Sequence, residues 1–266
     1  MPVNSQSVAC KTISVSFSPS DLARFDEEGY LVVRQMVNRD YCDQLVSLSR
    51  DQLQRQKAPV EYEADLHYPG APASRKETGG ETIRRLLQAQ ARDPIITQWV
   101  NDPALQGRLR QLLGDHLAMS LSHHNCIMTK HPDFSSDTHW HQDIRYWSFQ
   151  RPELVNVWLA LGREYPENGG MKVIPGSHRL DIDNSQLGPE QFFQANNNKN
   201  ATLIEQSIDV ELNKGDVMFF HCKTLHAAGR NQSSSIKFSA VFSFHAVDNK
   251  PLENTRSSTL PELIFP

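Results

Sequence analysis

Up to about residue 115 the apolar positions recur mainly at helical spacing, and from Met119 onward they alternate in short runs divided by turn residues. Ser20 stands before Asp21, Leu22, Ala23 and Phe25, which predicts a capped short helix stopped by Gly29 and followed by the strand Tyr30-Leu31-Val32-Val33. Asn38 can cap a second helix, running to near Gln56, in which Cys42, Leu45, Val46 and Leu53 share one face. That stripe reads as core. Residues 57–80 hold Pro59, Pro69, Gly70, Pro72, Gly79 and Gly80 among Tyr62, His67 and Tyr68, with no sustained period, and predict a long loop of the lid kind. Two further helices are expected, one over Glu81–Arg92 and one opened by Asp102-Pro103, where proline suits the first helical position.

The second half reads as β structure, through Ser239-Ala240-Val241-Phe242 near its end. Ile236, Phe238, Ala240, Phe242 and Phe244 alternate there with Lys237, Ser239, Val241 and Ser243, so one face of this strand is apolar and the other mostly polar. The insert Asp181–Thr202, with Asn196-Asn197-Asn198 and no apolar period, predicts a mobile loop. No internal repeat is visible.

Composition narrows the class without naming it. The 266 residues suffice for a real core, and 38% hydrophobic with 22% charged residues excludes collagen-like, coiled-coil and wholly disordered chains. Lys+Arg 27 against Asp+Glu 31 leaves a formal charge of −4, which provides no field for a phosphate backbone and argues against nucleic acid as a partner. Cys10, Cys42, Cys126 and Cys222 form no close pair, so a reducing compartment is expected. The N-terminal stretch lacks a basic start and an apolar run, and no segment approaches the roughly 18 apolar residues of a membrane span. A cytoplasmic protein is expected, peripheral contact with a membrane surface remaining compatible, and no obligate protein partner is evident.

Chemistry concentrates in Thr138-His139-Trp140-His141-Gln142-Asp143. On a strand His141 and Asp143 leave the same face and can grip one ion; one distant histidine would complete a two-histidine, one-carboxylate set that leaves coordination positions open. Alone, a histidine two before an aspartate is a weak signal. Downstream, Leu212-Asn213-Lys214-Gly215-Asp216 leads through Val217-Met218-Phe219-Phe220-His221 to Leu225-His226-Ala227-Ala228-Gly229-Arg230-Asn231, and upstream of it stand Glu167-Asn168-Gly169-Gly170-Met171 and Pro175-Gly176-Ser177-His178. Together these residues resemble the phytanoyl-CoA dioxygenase family of Fe(II)- and 2-oxoglutarate-dependent enzymes, from about Ser20 to Ala246.

The resemblance implies a mainly β fold, a double-stranded β-helix or cupin-like jelly roll with flanking helices, in a single domain over 1–266 with a helix-rich part (18–115) and a jelly-roll core (118–246). It implies Fe(II) held by His141, Asp143 and His226, with 2-oxoglutarate and O2 consumed to hydroxylate a C–H bond. His221 is the rival for the distal position; the family places a basic residue about eleven positions after that histidine to hold the far carboxylate of 2-oxoglutarate, and His226 leads to Lys237 whereas His221 leads to the uncharged Gln232. Arginine is usual at that place, and a serine or similar residue is often found where Ala228 stands, so both departures bear on the grip of the co-substrate. Trp158, Asn156 and Lys130 are candidates for lining the 2-oxoglutarate pocket, and His139 for a place beside the ligands or substrate.

Arg145, directly after the metal pair, and Arg84 and Arg85, near the expected lid, point to an anionic substrate. The run HWHQDIRYWSF, the PGAP of the loop and the TIRRLL segment resemble bacterial enzymes of this family that hydroxylate 3-deoxy-D-manno-octulosonic acid (Kdo), the inner sugar of lipopolysaccharide, which implies a glycolipid substrate met at the inner-membrane surface. Three other readings compete: hydroxylation of another small molecule such as an acyl-CoA or a secondary metabolite, a non-catalytic jelly-roll binding protein, and a zinc hydrolase built on the same ligands.

Overall fold

A computed structural model of the chain describes residues 14–188 and 190–266; Cys10 lies outside them. Helix α1 (Pro19–Glu28) starts two residues earlier than expected, because Ser18 and Asp21 cap each other's backbone and Pro19 takes the first helical position. Gly29 ends it at φ +78, and a Cβ added there would stand 2.3 Å from the His178 ring. Strand β1 (Tyr30–Val33) and helix α2 (Arg39–Gln54), capped by the Asn38 side chain, follow as the pattern predicts.

The helix expected over Glu81–Arg92 is instead a strand. β2 (Val60–Tyr62) and β3 (Ile83–Leu87) pair with each other, and β3 also pairs with β5 (Asn125–Lys130), so backbone pairing on both sides overrides a run too short for its periodicity to separate helix from strand. The 57–80 stretch is thus partly ordered as a strand before it becomes loop. Helix α3 (Pro94–Val100), opened by Asp93, was not anticipated; α4 (Pro103–Leu113), with Asp102 accepting from the amides of Ala104 and Leu105, was. The remaining elements are β4 (Leu117–Ser120), β6 (Thr138–His141), β7 (Leu154–Ala160), β8 (Met171–Val173), α5 (Asn198–Ile204), β9 (Ile208–Val210), β10 (Val217–His221), β11 (His226–Ala228), β12 (Lys237–Ala246) and β13 (Glu262–Phe265).

The strands form two antiparallel sheets. The larger runs β1-β10-β7-β12-β5-β3-β2, with β4 also on β12 and β13 on β4; the smaller runs β6-β11-β8-β9. Phe219, Phe242, Phe244, Val157 and Leu159 face the helices, packing on Leu45, Ile96, Leu105 and Leu109. The opposite face meets the small sheet, with Trp158, Met218, Phe220 and Val241 clustered with Met171, Val173 and Val210. The alternation along β12 therefore separates a helix-packed face from the interior between the sheets, and the polar set Lys237, Ser239 and Ser243 is buried in that interior. No helix among the described residues is long and apolar enough to cross a membrane.

Candidate active site

His141, the last residue of β6, and His226, the first of β11, are Cα partners across an antiparallel pair, which sets their rings side by side with centroids 4.2 Å apart. Gln142 continues the extended chain, and the backbone then turns into a short 3-10 turn headed by Asp143. Asp143 is therefore not on the strand, yet its carboxylate returns to the histidines: Oδ1 lies 3.7 Å from Nε2 of His141 and Oδ2 lies 3.8 Å from Nε2 of His226. All three are buried, and one donor atom from each falls within 4.8 Å of the others.

The surroundings aim these atoms. Nδ1 of His141 sits 2.8 Å from the His139 carbonyl and Nδ1 of His226 sits 2.9 Å from the Thr224 carbonyl. A carbonyl only accepts, so each Nδ1 carries the hydrogen and each Nε2 turns a lone pair toward Asp143. Burial, helped by His226, pushes the His141 imidazole down to about 3 and keeps it neutral. Asn156 donates to Oδ2 of Asp143 at 2.8 Å and accepts from the Ser243 hydroxyl at 2.5 Å, while His124 stands 3.3 Å from Oδ1. Burial alone would raise the Asp143 carboxyl, but the neighbouring His124 and His226 outweigh it and hold the group well below the usual carboxylate range. Separations of 3.7 and 3.8 Å are too long for hydrogen bonds, and two imidazole nitrogens with one carboxylate suit a divalent transition metal. The donor set fits Fe(II).

His221 stands apart from this cluster: its Nδ1 accepts from the Lys223 amide and its ring faces His178 at 5.5 Å. A β-bulge changes the place of His139. The pairs His226 with His141 and Ala228 with Thr138 leave one extra residue on β6, which reverses parity between Thr138 and His141. Thr138 thus shares the cavity with His141, while His139 is exposed and packs on Phe192 at 5.4 Å. The His139 side chain, expected beside the ligands or substrate, thus turns away from this cavity, and its carbonyl orients His141 instead.

A cavity of about 260 Å³ opens over His141 and Asp143, walled by Tyr68, Arg85, His123, Tyr146, Trp147 and Arg256. Tyr68 comes from the 57–80 stretch, which thus supplies part of the wall. Arg85 faces the cavity and pairs with Glu61 at 3.3 Å. Arg84 does not: it is buried against Glu63 at 3.1 Å, with Ser136 and Thr138 each at 2.8 Å, and lies over the Tyr68 ring at 5.0 Å. Arg145 donates to the Gln142 side chain at 3.3 Å and the Ile182 carbonyl at 2.6 Å, tying the turn after Asp143 to the insert. Arg256, in a C-terminal segment without periodicity, was not anticipated. Nor was Phe192: the insert expected to be mobile is anchored by the Phe193 amide on the Trp140 carbonyl, and it brings Phe192 within 5.9 Å of the His141 ring and 5.2 Å of Tyr68.

At the other end of the interior, Lys237 reaches Glu164 at 3.0 Å and lies over the Trp158 ring at 5.1 Å. Trp158 donates to both oxygens of Glu164 and Ser239 donates at 2.7 Å. Lys130 is engaged elsewhere, its ammonium donating to the carbonyls of Ser136 and Gly229 at 2.9 and 2.5 Å; burial, with Arg84 and Lys237 nearby, pushes it well below the ordinary lysine range.

The family model described as phytanoyl-CoA dioxygenase matches residues 25–239. An ectoine dioxygenase of Streptomyces avermitilis is 24% identical over 253 residues, covering 88% of this chain and 80% of the relative. A probable phytanoyl-CoA dioxygenase of Caenorhabditis elegans is 24% identical over 258 residues, covering 91% and 80%. Among solved structures, EctD from S. alaskensis with 2-oxoglutarate and 5-hydroxyectoine superposes with a TM-score of 0.73 at 21% identity, covering 90% of this chain and 81% of that one. The 2-oxoglutarate-dependent carbocyclase SnoK gives 0.66 at 19%, covering 91% and 88%. These likenesses show the fold, and it is the double-stranded β-helix that the sequence led us to expect.

Proposed function

The chain belongs to the phytanoyl-CoA dioxygenase family and is a dioxygenase working with Fe(II), 2-oxoglutarate and O2; on that premise we propose that His141, Asp143 and His226 hold the metal of a hydroxylase acting on a small anionic substrate. The observation that carries the reading is the convergence of two Nε2 lone pairs and one carboxylate, each oriented by its own backbone or side-chain partner. Bound iron would supply the redox chemistry that converts 2-oxoglutarate to succinate and CO2 and places oxygen in a C–H bond. The protein's part is positional. Asn156 and Ser243 orient Asp143, and Lys237, Trp158 and Ser239 form the pole that would receive the far carboxylate of the co-substrate.

Arg85 and Arg256 support an acidic substrate, and a chamber of about 260 Å³ suits one compact ring better than a whole acyl-CoA. The substrate we propose is the Kdo sugar of lipopolysaccharide, entering alone while its lipid stays at the membrane surface, with the enzyme at the cytoplasmic side. The test is succinate release with Fe(II) and O2 in the presence of a Kdo-containing inner-core fragment, ectoine or phytanoyl-CoA. Coupled hydroxylation of the first alone is expected. Coupling with either of the others and not with the sugar would replace this substrate. Succinate release with none of the three hydroxylated would leave the acceptor to be another small molecule.

A further inference from the structure

We propose that Glu164 is a resident occupant of the subsite for the co-substrate's far carboxylate and sets which 2-oxo acid this chain accepts. The inference rests on the reading of Lys237 as the pole for that carboxylate. Glu164 follows β7 and is held by a reciprocal pair of backbone bonds with Leu212, at 2.8 and 3.0 Å, so its side chain enters the interior from a fixed point. It is fully buried. Oε2 receives Lys237 at 3.0 Å, Oε1 receives Ser239 at 2.7 Å, and the Trp158 indole reaches both at 3.1 and 3.2 Å.

Lysine and tryptophan side chains only donate, so these groups form a receptor for one carboxylate, and the chain's own carboxylate fills it. The receptor lies on the inward face of β7 and β12, the face that carries Asn156 and Ser243 at the metal end. A 2-oxo acid chelating the metal would run its tail along this face toward Glu164. A second carboxylate there would share one ammonium with Glu164 in a desolvated place, where like charges exclude each other. 2-Oxoglutarate must therefore displace Glu164, whereas a 2-oxo acid with an uncharged tail need not. The consequence is a chain that binds 2-oxoglutarate more weakly than its own donors allow and accepts monocarboxylic 2-oxo acids on comparable terms.

The test is an anaerobic titration of the Fe(II)-loaded protein with 2-oxoglutarate and with 2-oxobutyrate, read by the charge-transfer absorption of the chelated oxo acid, so that binding and not turnover is measured. In the unmodified protein the two affinities should fall within about tenfold of each other, and Glu164→Gln should tighten 2-oxoglutarate by roughly ten- to a hundredfold while leaving 2-oxobutyrate unchanged, the size expected of one charge-assisted contact. A hundredfold preference for 2-oxoglutarate in the unmodified protein, a measurement that needs no variant to fold, would overturn the role of Glu164 alone, as would an unchanged affinity in folded Glu164→Gln. Absence of any band with either acid would overturn the dioxygenase reading, and this inference with it.

Discussion

The two ends of the interior between the sheets carry similar ingredients in opposite states. At the His141 end, nitrogen lone pairs and a carboxylate converge, all acceptors, with separations of 3.7 and 3.8 Å that no hydrogen bond bridges. At the Lys237 end, an ammonium, a hydroxyl and an indole converge on a carboxylate at 2.7 to 3.2 Å. Asn156 and His124 serve only the carboxylate, so the acceptors that face one another with no donor between them suit a cation from outside; donors gathered around an acceptor are already complete. A buried constellation is therefore read by its balance of donors and acceptors before its residue types, since a carboxylate stands at the centre of both.

The largest expected effect breaks the first end. Asp143→Ala or His226→Ala should abolish iron retention and turnover, measured by metal analysis and succinate release, while His221→Ala keeps both; loss of iron in the His221 variant with retention in the His226 variant would exchange their roles. The second end should break through stability. Lys237→Ala leaves the Glu164 charge buried without its counter-ion, which costs about 3–5 kcal/mol in chemical denaturation, and the double variant Lys237→Met with Glu164→Gln, which keeps an acceptor for Trp158 and Ser239, should recover most of it. No recovery would mean the pair is more than an ion pair with packing value.

A smaller effect sharpens the metal end. Asn156→Ala removes the donor on Oδ2 of Asp143 and should weaken metal affinity by roughly ten- to a hundredfold without removing a ligand. An unchanged affinity would leave Asn156 as packing. The smallest effect is in acid. Burial lowers His123 to about 3 and His221 to about 4, below the ordinary histidine value, so between about pH 6.5 and 4 the unfolded chain holds protons that the folded one does not. Stability from these two groups is present above that range and falls as pH drops through it. Replacing His123 by Phe and His221 by Gln should flatten the slope; an equally steep slope would assign acid lability elsewhere.

What could be read from the sequence, and what could not, follows from the range of the interactions. α1, α2 and α4 were legible because Gly29, Asn38 and Asp102-Pro103 act on their own neighbours. β3 was not, because its partners lie far off in the chain and its short apolar run fits either period. The His141 and Asp143 pair was visible through local spacing, but the bulge that turns His139 outward depends on β11, which begins at His226. Glu164 left no signal at all: it meets Lys237 across 73 residues, and a lone acidic residue after a strand predicts only solvent. Phe192 and Arg256 come from segments without period, so only their final positions mark them.

The two histidine tethers have an evolutionary consequence. His141 and His226, the proposed metal ligands, are each oriented by the main-chain carbonyl two residues before, on His139 and Thr224. Every amino acid brings that oxygen, so mutation at either position replaces a side chain without deleting the acceptor. The exposed His139 side chain, beside Phe192, is then free to drift while the histidine its carbonyl orients keeps its aim. Residue 139 can therefore change along a lineage without passing through forms in which His141 has lost its aim.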